Sequence, residues 1–385
     1  MKTIKSEARL TFAEATSLIV GHGVGAGILS VPYLASRNNW YDMVWIVVVV
    51  YLCNLLLHFM IAELSYNNGG AQFIKCFENE LFVGRLKTIF TWAAFALLGF
   101  SVIVNVSGFI TGAAAVLVAW FGIPQIAAML LFYVVAAGVV FFGMKLVGIC
   151  EKIAVFSMSA VIGILLIATL LGQTYPLSTR FVSMSNVLAL YSMIAFSLSA
   201  VMSVPQVVKG LNGDVKKIRG SIAAGTGINL LLILLVTFMT LIGAGQHISE
   251  NGALVDLSAQ LGGWVSIVGY VFSLLALATS FWVNTLNLRD IINEQVKWNT
   301  KLCWAVASLP CLFIALLGIT SFVGFTRMAG VVQVLTGVGV IVAYNRSRRR
   351  EGTSLICGKF GVLPLQILVV IFSLLSTVGA LIKVV

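Results

Sequence analysis

The chain has 385 residues, 60% of them hydrophobic and 10% charged, where a soluble domain carries about 25% charged residues. A soluble fold cannot hide that much apolar surface, which excludes soluble enzymes, nucleic-acid binders and secreted disulfide scaffolds. The net charge of +11 reads instead as the basic cytoplasmic face of a membrane protein.

A bilayer-spanning helix needs about 20 mostly apolar residues. Eleven such runs follow one another: 11–36, 44–66, 88–121, 125–142, 149–172, 187–209, 218–244, 264–292, 302–319, 328–344 and 362–383. They lack the strict alternation of transmembrane strands, so the expectation is an all-α polytopic membrane protein with 11 transmembrane helices. Residues 1–10 are short and polar, and the first run is too long and too rich in glycine for a leader, so no cleavable signal peptide is expected. With the N-terminus placed in the cytoplasm, 20 Lys and Arg fall inside and four outside, namely Arg37, Arg180, Arg327 and Lys383. That asymmetry predicts an integral plasma (inner) membrane protein with its N-terminus cytoplasmic and its C-terminus outside.

Runs six to ten begin 174 to 179 residues after runs one to five. The near-constant offset suggests one transmembrane domain over 1–385, with five-helix repeats at 11–173 and 186–345. Five is odd, so the second half enters from the opposite side, and 358–385 remains as a peripheral eleventh helix. Inverted repeats of this kind recur among secondary transporters.

The first run contains GHGVGAGILSVPY, with Gly21, Gly23, Gly25 and Gly27 at alternate positions and Pro32 after them. Each glycine disfavours a helix by about 1 kcal/mol relative to alanine. The sixth run contains FSLSAVMSVPQ, with Ser197, Ser199, Ser203 and Pro205, and Pro205 lies 173 residues after Pro32. Interrupted helices at matching places in two halves point to a midplane binding site. Unwinding frees N–H and C=O groups that lipid cannot satisfy. The positive end of a half-helix suits a carboxylate, and freed carbonyls suit an ammonium or a small cation. The competing reading is close helix packing through small residues with a simple proline kink. The glycine string follows no strand and is not GxGxxG, so no nucleotide site is expected.

Ionisable groups inside spans are few, and each is a functional suspect. His22 lies among the glycines and could carry a coupling proton, or serve as a neutral, hydrogen-bonded spacer. In the second run, His58 and Glu63 lie toward the cytoplasmic end, where Glu63 reads as a structural cap or interface group. Residues 70–87 space Phe73, Phe77, Leu81 and Phe82 near helical periodicity between charges, as in an interfacial cytoplasmic helix. Asn105, Asn284 and Asn287 could line a pathway or bridge helices. Phe109, Phe196, Phe281 and Trp282 could wall a side-chain pocket or simply pack. Thr279 and Ser280 place adjacent hydroxyls in mid-helix, where back-bonding to their own helix is the bland alternative. Residues 246–263 contain no Lys or Arg and could form an external lid or an inert loop. The Arg346–Arg350 run needs no nucleic acid on the cytoplasmic side. The six cysteines form no metal-ligand cluster and no CxxC pair.

GAGILSVPY after a short tail, and VPQVVKGLNGDVKKIRGSIAAGTGIN across runs six and seven, resemble the amino acid/auxin permease and hydroxy/aromatic amino acid permease families. These belong to the amino acid–polyamine–organocation superfamily. The resemblance implies a LeuT-type fold of five plus five helices with an amino acid between helices 1, 3, 6 and 8. It implies that the substrate carboxylate meets backbone amides around Ala26 and Gly27, with the amine facing carbonyls of helix 1 and those near Phe196 and Ser197. Thr279 and Ser280 are similar to the sodium-binding pair of such transporters, completed there by carbonyls corresponding to Gly21 and Val24. Sodium-coupled auxin-permease relatives carry an Asn where this chain has Gly21. Some proton-coupled relatives carry a mid-helix-5 Lys, where this chain shows Ser157 and Ser159.

The expected function is therefore cation-coupled symport of a neutral, possibly aromatic, amino acid by alternating access. Substrate contacts are expected from Gly23, Gly25, Ala26, Gly27, Asn105, Phe196, Ser197 and Ser199, and ion contacts from His22, Gly21, Val24, Thr279 and Ser280. The coupling ion is expected to be H+, with Na+ as the alternative. No cofactor and no obligate protein partner is expected beyond substrate and lipid. An intramembrane enzyme lacks a base-orienting acid beside His22 and Ser197, and a channel lacks its usual oligomeric pore signature.

Overall fold

The computed structural model describes residues 4, 9–180, 182–245, 248–249, 254, 256–319, 324–325, 333–352 and 354–382, without the side chains of 25, 26, 259, 260 and 333–335. Residues 246, 247, 250–253 and 255 of the predicted outer lid over 246–263, and 328–332 at the start of the tenth run, lie outside these residues.

Helix α1 (Phe12–Ser36) opens on a capping box. Glu14 N–H donates to Thr11 Oγ1 at 3.2 Å, and Thr11 N–H donates to Glu14 Oε2 at 2.8 Å. Lys145 Nζ adds an ion pair to Glu14 at 2.7 Å. Four helices follow: α2 (Trp40–Asn67), α3 (Phe73–Glu80), α4 (Lys87–Phe121) and α5 (Gln125–Phe141). Next come α6 (Met144–Leu171), α7 (Met184–Ser197), α8 (Val204–Gly210), α9 (Val215–Ala244) and the short α10 (Ser258–Leu261). The chain ends with α11 (Gly263–Val296), α12 (Thr300–Leu316), α13 (Gln333–Glu351), a 3-10 turn at Gly358–Phe360 and α14 (Leu363–Leu381). Each of the eleven apolar runs contains helix, and the described residues contain no strand.

Among them α2, α4, α6, α9, α11 and α14 are each long and apolar enough to cross a bilayer, and α1 is a seventh as a bent span. Helices α5, α7 and α12 are apolar but shorter, at 17, 14 and 17 residues. The surface is apolar as well as the core: Leu171 is 84% exposed, Phe156 77% and Phe142 73%, a pattern that suits lipid and not water.

Helix α1 is the hub, packed against α6, α7, α9 and α11. Helix α14 stands at the edge on α7, α13 and α2. The α1 glycines explain the close approach. A Cβ at Gly21 would collide with the Glu151 carboxylate, one at Gly23 with Ser197 O and Asn229, and one at Gly27 with Ser197. The expected interruption takes the form of a bend: α1 turns by 42° between Phe12–Val24 and Gly27–Ser36 while its backbone stays helical, and neighbouring groups occupy the space a side chain would take at Gly21, Gly23 and Gly27.

The interfacial helix predicted over 70–87 forms as α3, and its buried face (Phe73, Ile74, Cys76, Phe77) docks on protein. Arg346 donates to the Glu80 and Leu81 carbonyls at 3.0 and 2.7 Å, and Arg350 to the Asn67 carbonyl at 3.1 Å. The basic run thus caps the negative ends of α3 and α2. At the start of α9, Asp214 accepts from Lys217 N–H at 3.1 Å, which holds its carboxyl below the usual range.

Candidate functional site

The sixth run breaks over residues 198–203, between α7 and α8. Ser199 N–H turns to Phe196 O at 3.1 Å instead of reaching back to Ala195. Two backbone groups, Ala195 C=O and Ala200 N–H, thereby lose their helical partners. Helix α2 supplies both: Asn54 Nδ2 donates to Ala195 O at 3.2 Å, and His58 Nε2 accepts from Ala200 N–H at 2.9 Å. His58 Nδ1 meets Thr226 Oγ1 at 3.3 Å, and that hydroxyl donates onward to Ile222 O at 2.8 Å. An Nε2 that accepts and an Nδ1 that donates define one neutral tautomer. Sequence reasoning gave His58 no such task and missed Asn54, although their i, i+4 spacing puts both on one face of α2.

A narrow cavity of about 80 Å³ opens beside the break. Its wall comes from His22 of α1, Leu98, Ser101, Val102 and Asn105 of α4, Phe196, Ser199, Val201 and Met202 around the break, Asn284 of α11 and Thr336 of α13. Four residues singled out as substrate or ion contacts, His22, Asn105, Phe196 and Ser199, meet here. The Asn105 side-chain oxygen is buried without a hydrogen-bond partner. Asn287 Nδ2 donates to Ser203 Oγ at 3.0 Å, which directs the Ser203 hydroxyl to His22 Nδ1 at 2.9 Å. One hydrogen-bonded group therefore ties helices α1, α8 and α11 at the cavity edge. Gly23, Gly27 and Ser197 lie behind the wall, in the contact between α1 and α7. Gly25 and Ala26 are helical, and their side chains lie outside the described residues.

The other residues singled out for an ion, Gly21, Val24, Thr279 and Ser280, do not line this cavity. Ser280 Oγ donates to Gly21 O at 3.0 Å, whereas Thr279 Oγ1 turns to Ala276 O of its own helix at 2.9 Å. Val24 is fully buried. Facing Gly21 is Glu151 of α6, which sequence reasoning overlooked: it is fully buried, and neither carboxylate oxygen has a hydrogen-bond partner. In the sequence it stands beside Lys152 at the start of the fifth apolar run. Helix α6 begins at Met144, before the apolar run, so Glu151 turns inward two turns along while Lys152 is exposed. Glu63 has the structural role expected of it, accepting from Ser354 Oγ at 2.8 Å, Leu355 N–H at 3.0 Å and Cys357 N–H at 2.8 Å. No cluster of three or more His, Cys, Asp or Glu fit to hold a metal ion occurs among the described residues.

The tryptophan/tyrosine permease family matches residues 9–378, nearly the whole chain. The chain belongs to that family. The permease is accordingly an integral membrane transporter and not an enzyme. Its fold is of the LeuT type, like that of MhsT in its crystal structure with L-phenylalanine, at a TM-score of 0.73 and 14% identity over 98% of this chain and 100% of that one. A mutant manganese transporter of Eremococcus coleocola is similar too, at a TM-score of 0.64 and 16% identity over 98% of this chain and 89% of that one. No curated protein matches the sequence significantly.

Proposed function

We propose that this permease is a cation-coupled symporter of neutral aromatic amino acids that works by alternating access. The observation that carries the reading is the cavity beside the α7–α8 break. Its wall combines apolar and aromatic side chains (Leu98, Val102, Phe196, Val201, Met202) with neutral polar ones (Ser101, Asn105, Ser199, Asn284). His22 is the one titratable residue among those lining groups. Such a wall accepts a zwitterion with an apolar ring, whereas a charged side chain would lie unpaired in it. The family and the phenylalanine-bound fold relative support the aromatic class. Three polar side chains, His22, Ser203 and Asn287, converge at the edge of the site, and the broken backbone of residues 198–203 sits against it, as in sites built on discontinuous helices.

Proton coupling is favoured over sodium coupling. Gly21 offers no side-chain oxygen, and Thr279 directs its hydroxyl to its own helix. The Ser280 to Gly21 contact keeps sodium as the second reading. One charge driven inward across 100 mV supplies about 2.3 kcal/mol, an accumulation of about 50-fold. The charge bias of the loops places the N-terminus in the cytoplasm and the C-terminus outside. Of the α4 residues at the cavity, Leu98, Ser101 and Val102 lie in the half nearer Lys87, which is then the cytoplasmic half, and Asn105 sits at the middle of the helix.

The test is uptake by proteoliposomes over a panel of amino acids, with pH and sodium gradients imposed separately. Saturable uptake of tryptophan, tyrosine or phenylalanine driven by the pH gradient alone is expected. Flux that ignores every imposed gradient would remove the coupling, and uptake driven by sodium alone would replace the proton.

A further inference from the structure

Among the described residues, the other buried acids are matched. Glu14 meets Lys145 and Thr11, Glu63 accepts three hydrogen bonds, and Glu80 meets Arg350. Glu151 is the exception among the described residues: fully buried, two turns into α6, with both oxygens unpartnered. The charged and titratable groups on the helices packed against α6 are engaged elsewhere. On α1, Glu14 is paired with Lys145 and His22 bonds Ser203. On α11, Arg289 and Asp290 pair at 2.7 Å, and Glu294 accepts from Gln72 N–H at 2.7 Å. On α5, Tyr133 meets Ser308 at 3.0 Å, and on α9 the basic residues Lys216, Lys217 and Arg219 sit at its exposed first turns. On α6 itself, Lys152 is exposed and Cys150 is half-buried.

An unpaired carboxylate in such a place is costly, and an intramembrane acid without a partner marks an ion or proton path. Its position says which path. The carboxylate occupies the space of the missing side chain at Gly21, and the Gly21 carbonyl also receives the Ser280 hydroxyl at 3.0 Å. Carboxylate, carbonyl and hydroxyl are all hard oxygen groups, contributed by three different helices.

We propose that Glu151 is the anionic ligand of the coupling-cation site, at the contact of α6, α1 and α11, and takes up one monovalent cation, H+ or Na+, in each transport cycle. The cation neutralises Glu151 and lets α6 close on the backbone of α1. Without it, a bare carboxylate stands unpaired against the α1 backbone at Gly21, which disfavours the closed contact. Helix α1 also carries His22 at the cavity wall, so the charge state of Glu151 and the occupancy of the cavity bias one element from two of its faces. His22 then belongs to the substrate cavity, and the cation site lies on the neighbouring face of α1, about 100° round the helix.

The proposal rests on the symport reading, and the experiment separates the two. Wild type and Glu151→Gln are reconstituted in proteoliposomes with radiolabelled L-tryptophan or L-tyrosine. Accumulation is measured under a pH gradient, then under a sodium gradient, and exchange against unlabelled internal substrate is measured with no gradient. The wild type is expected to accumulate under one gradient, which identifies the cation. Glu151→Gln is expected to lose about tenfold or more of that accumulation while exchange stays within about twofold. Glu151→Asp, which keeps the charge, is expected to retain coupling. Undiminished accumulation in Glu151→Gln overturns the assignment. Equal loss of exchange and accumulation in Glu151→Gln, with the same loss in Glu151→Asp, makes Glu151 structural and overturns it as well. A wild type that accumulates under neither gradient removes the symport reading and this one with it.

Discussion

Gly21, Gly23 and Gly27 of α1 are each overlain by a group from another helix, so their value lies in what they admit. At Gly27 an added Cβ would stand 2.7 Å from Ser197 Cα, a backbone atom that cannot swing away. At Gly138 of α5 nothing lies within 4 Å of the same atom. Gly27→Ala is therefore expected to destabilise the protein by about 1–3 kcal/mol through overpacking, and to depress uptake because the α1–α7 contact backs the cavity. Gly138→Ala is expected to be neutral or stabilising by up to about 1 kcal/mol. Thermal melting in detergent and initial uptake rates read both changes, and equal behaviour of the two variants would refute the packing argument. The alternation of glycines was visible in the sequence. Its consequence was not, because glycine can equally release a helix or let a neighbour approach, and only the positions of Ser197, Asn229 and Glu151 choose between those outcomes.

Breaking the helix at 198–203 strands an acceptor and a donor, and α2 answers each with one side chain. Asn54→Leu leaves the Ala195 carbonyl unpaired, and His58→Leu leaves the Ala200 N–H unpaired. Each orphaned buried group costs about 1–3 kcal/mol. Both substitutions act on one segment, so the double variant is expected to lose less than the sum of the singles. Ser199 of the cavity wall lies between the two bonds, so KM for the aromatic substrate is expected to rise in each single variant along with the fall in melting temperature. Wild-type melting and KM in both variants would mean that the break holds itself. Serines and Pro205 made this break legible in the sequence, and their match to the first run located the site. In α1 the matching interruption is a 42° bend with close packing around its glycines, not an open loop. The α2 supports escaped notice because a polar side chain in an apolar run does not reveal which distant backbone group needs it.

Across the whole chain, hydropathy exposed the helices well because lipid requires every backbone group to be satisfied within a segment. It could not count crossings, since α5, α7 and α12 are shorter than a full span and α1 is bent. Orientation is a separate inference, carried by the charge of the loops. Arg180 lies exposed in the segment between α6 and α7, and Lys216 lies exposed in the first turn of α9, on the other side of the α7–α8 span. The bias of 20 basic residues against four predicts Lys216 in the cytoplasm and Arg180 at the exterior. Of the six cysteines only Cys150 is not buried, so Cys150→Ser gives a quiet background for labelling. In that background, a membrane-impermeant maleimide added to intact cells is expected to label Arg180→Cys at once. Lys216→Cys is expected to react only after the membrane is permeabilised. The reverse pattern would invert the molecule and place the cavity half of α4 outside. Labelling of both sites in intact cells would mean that α7 and α8 do not together cross the membrane, and the predicted run 187–209 would then enter and leave on one side.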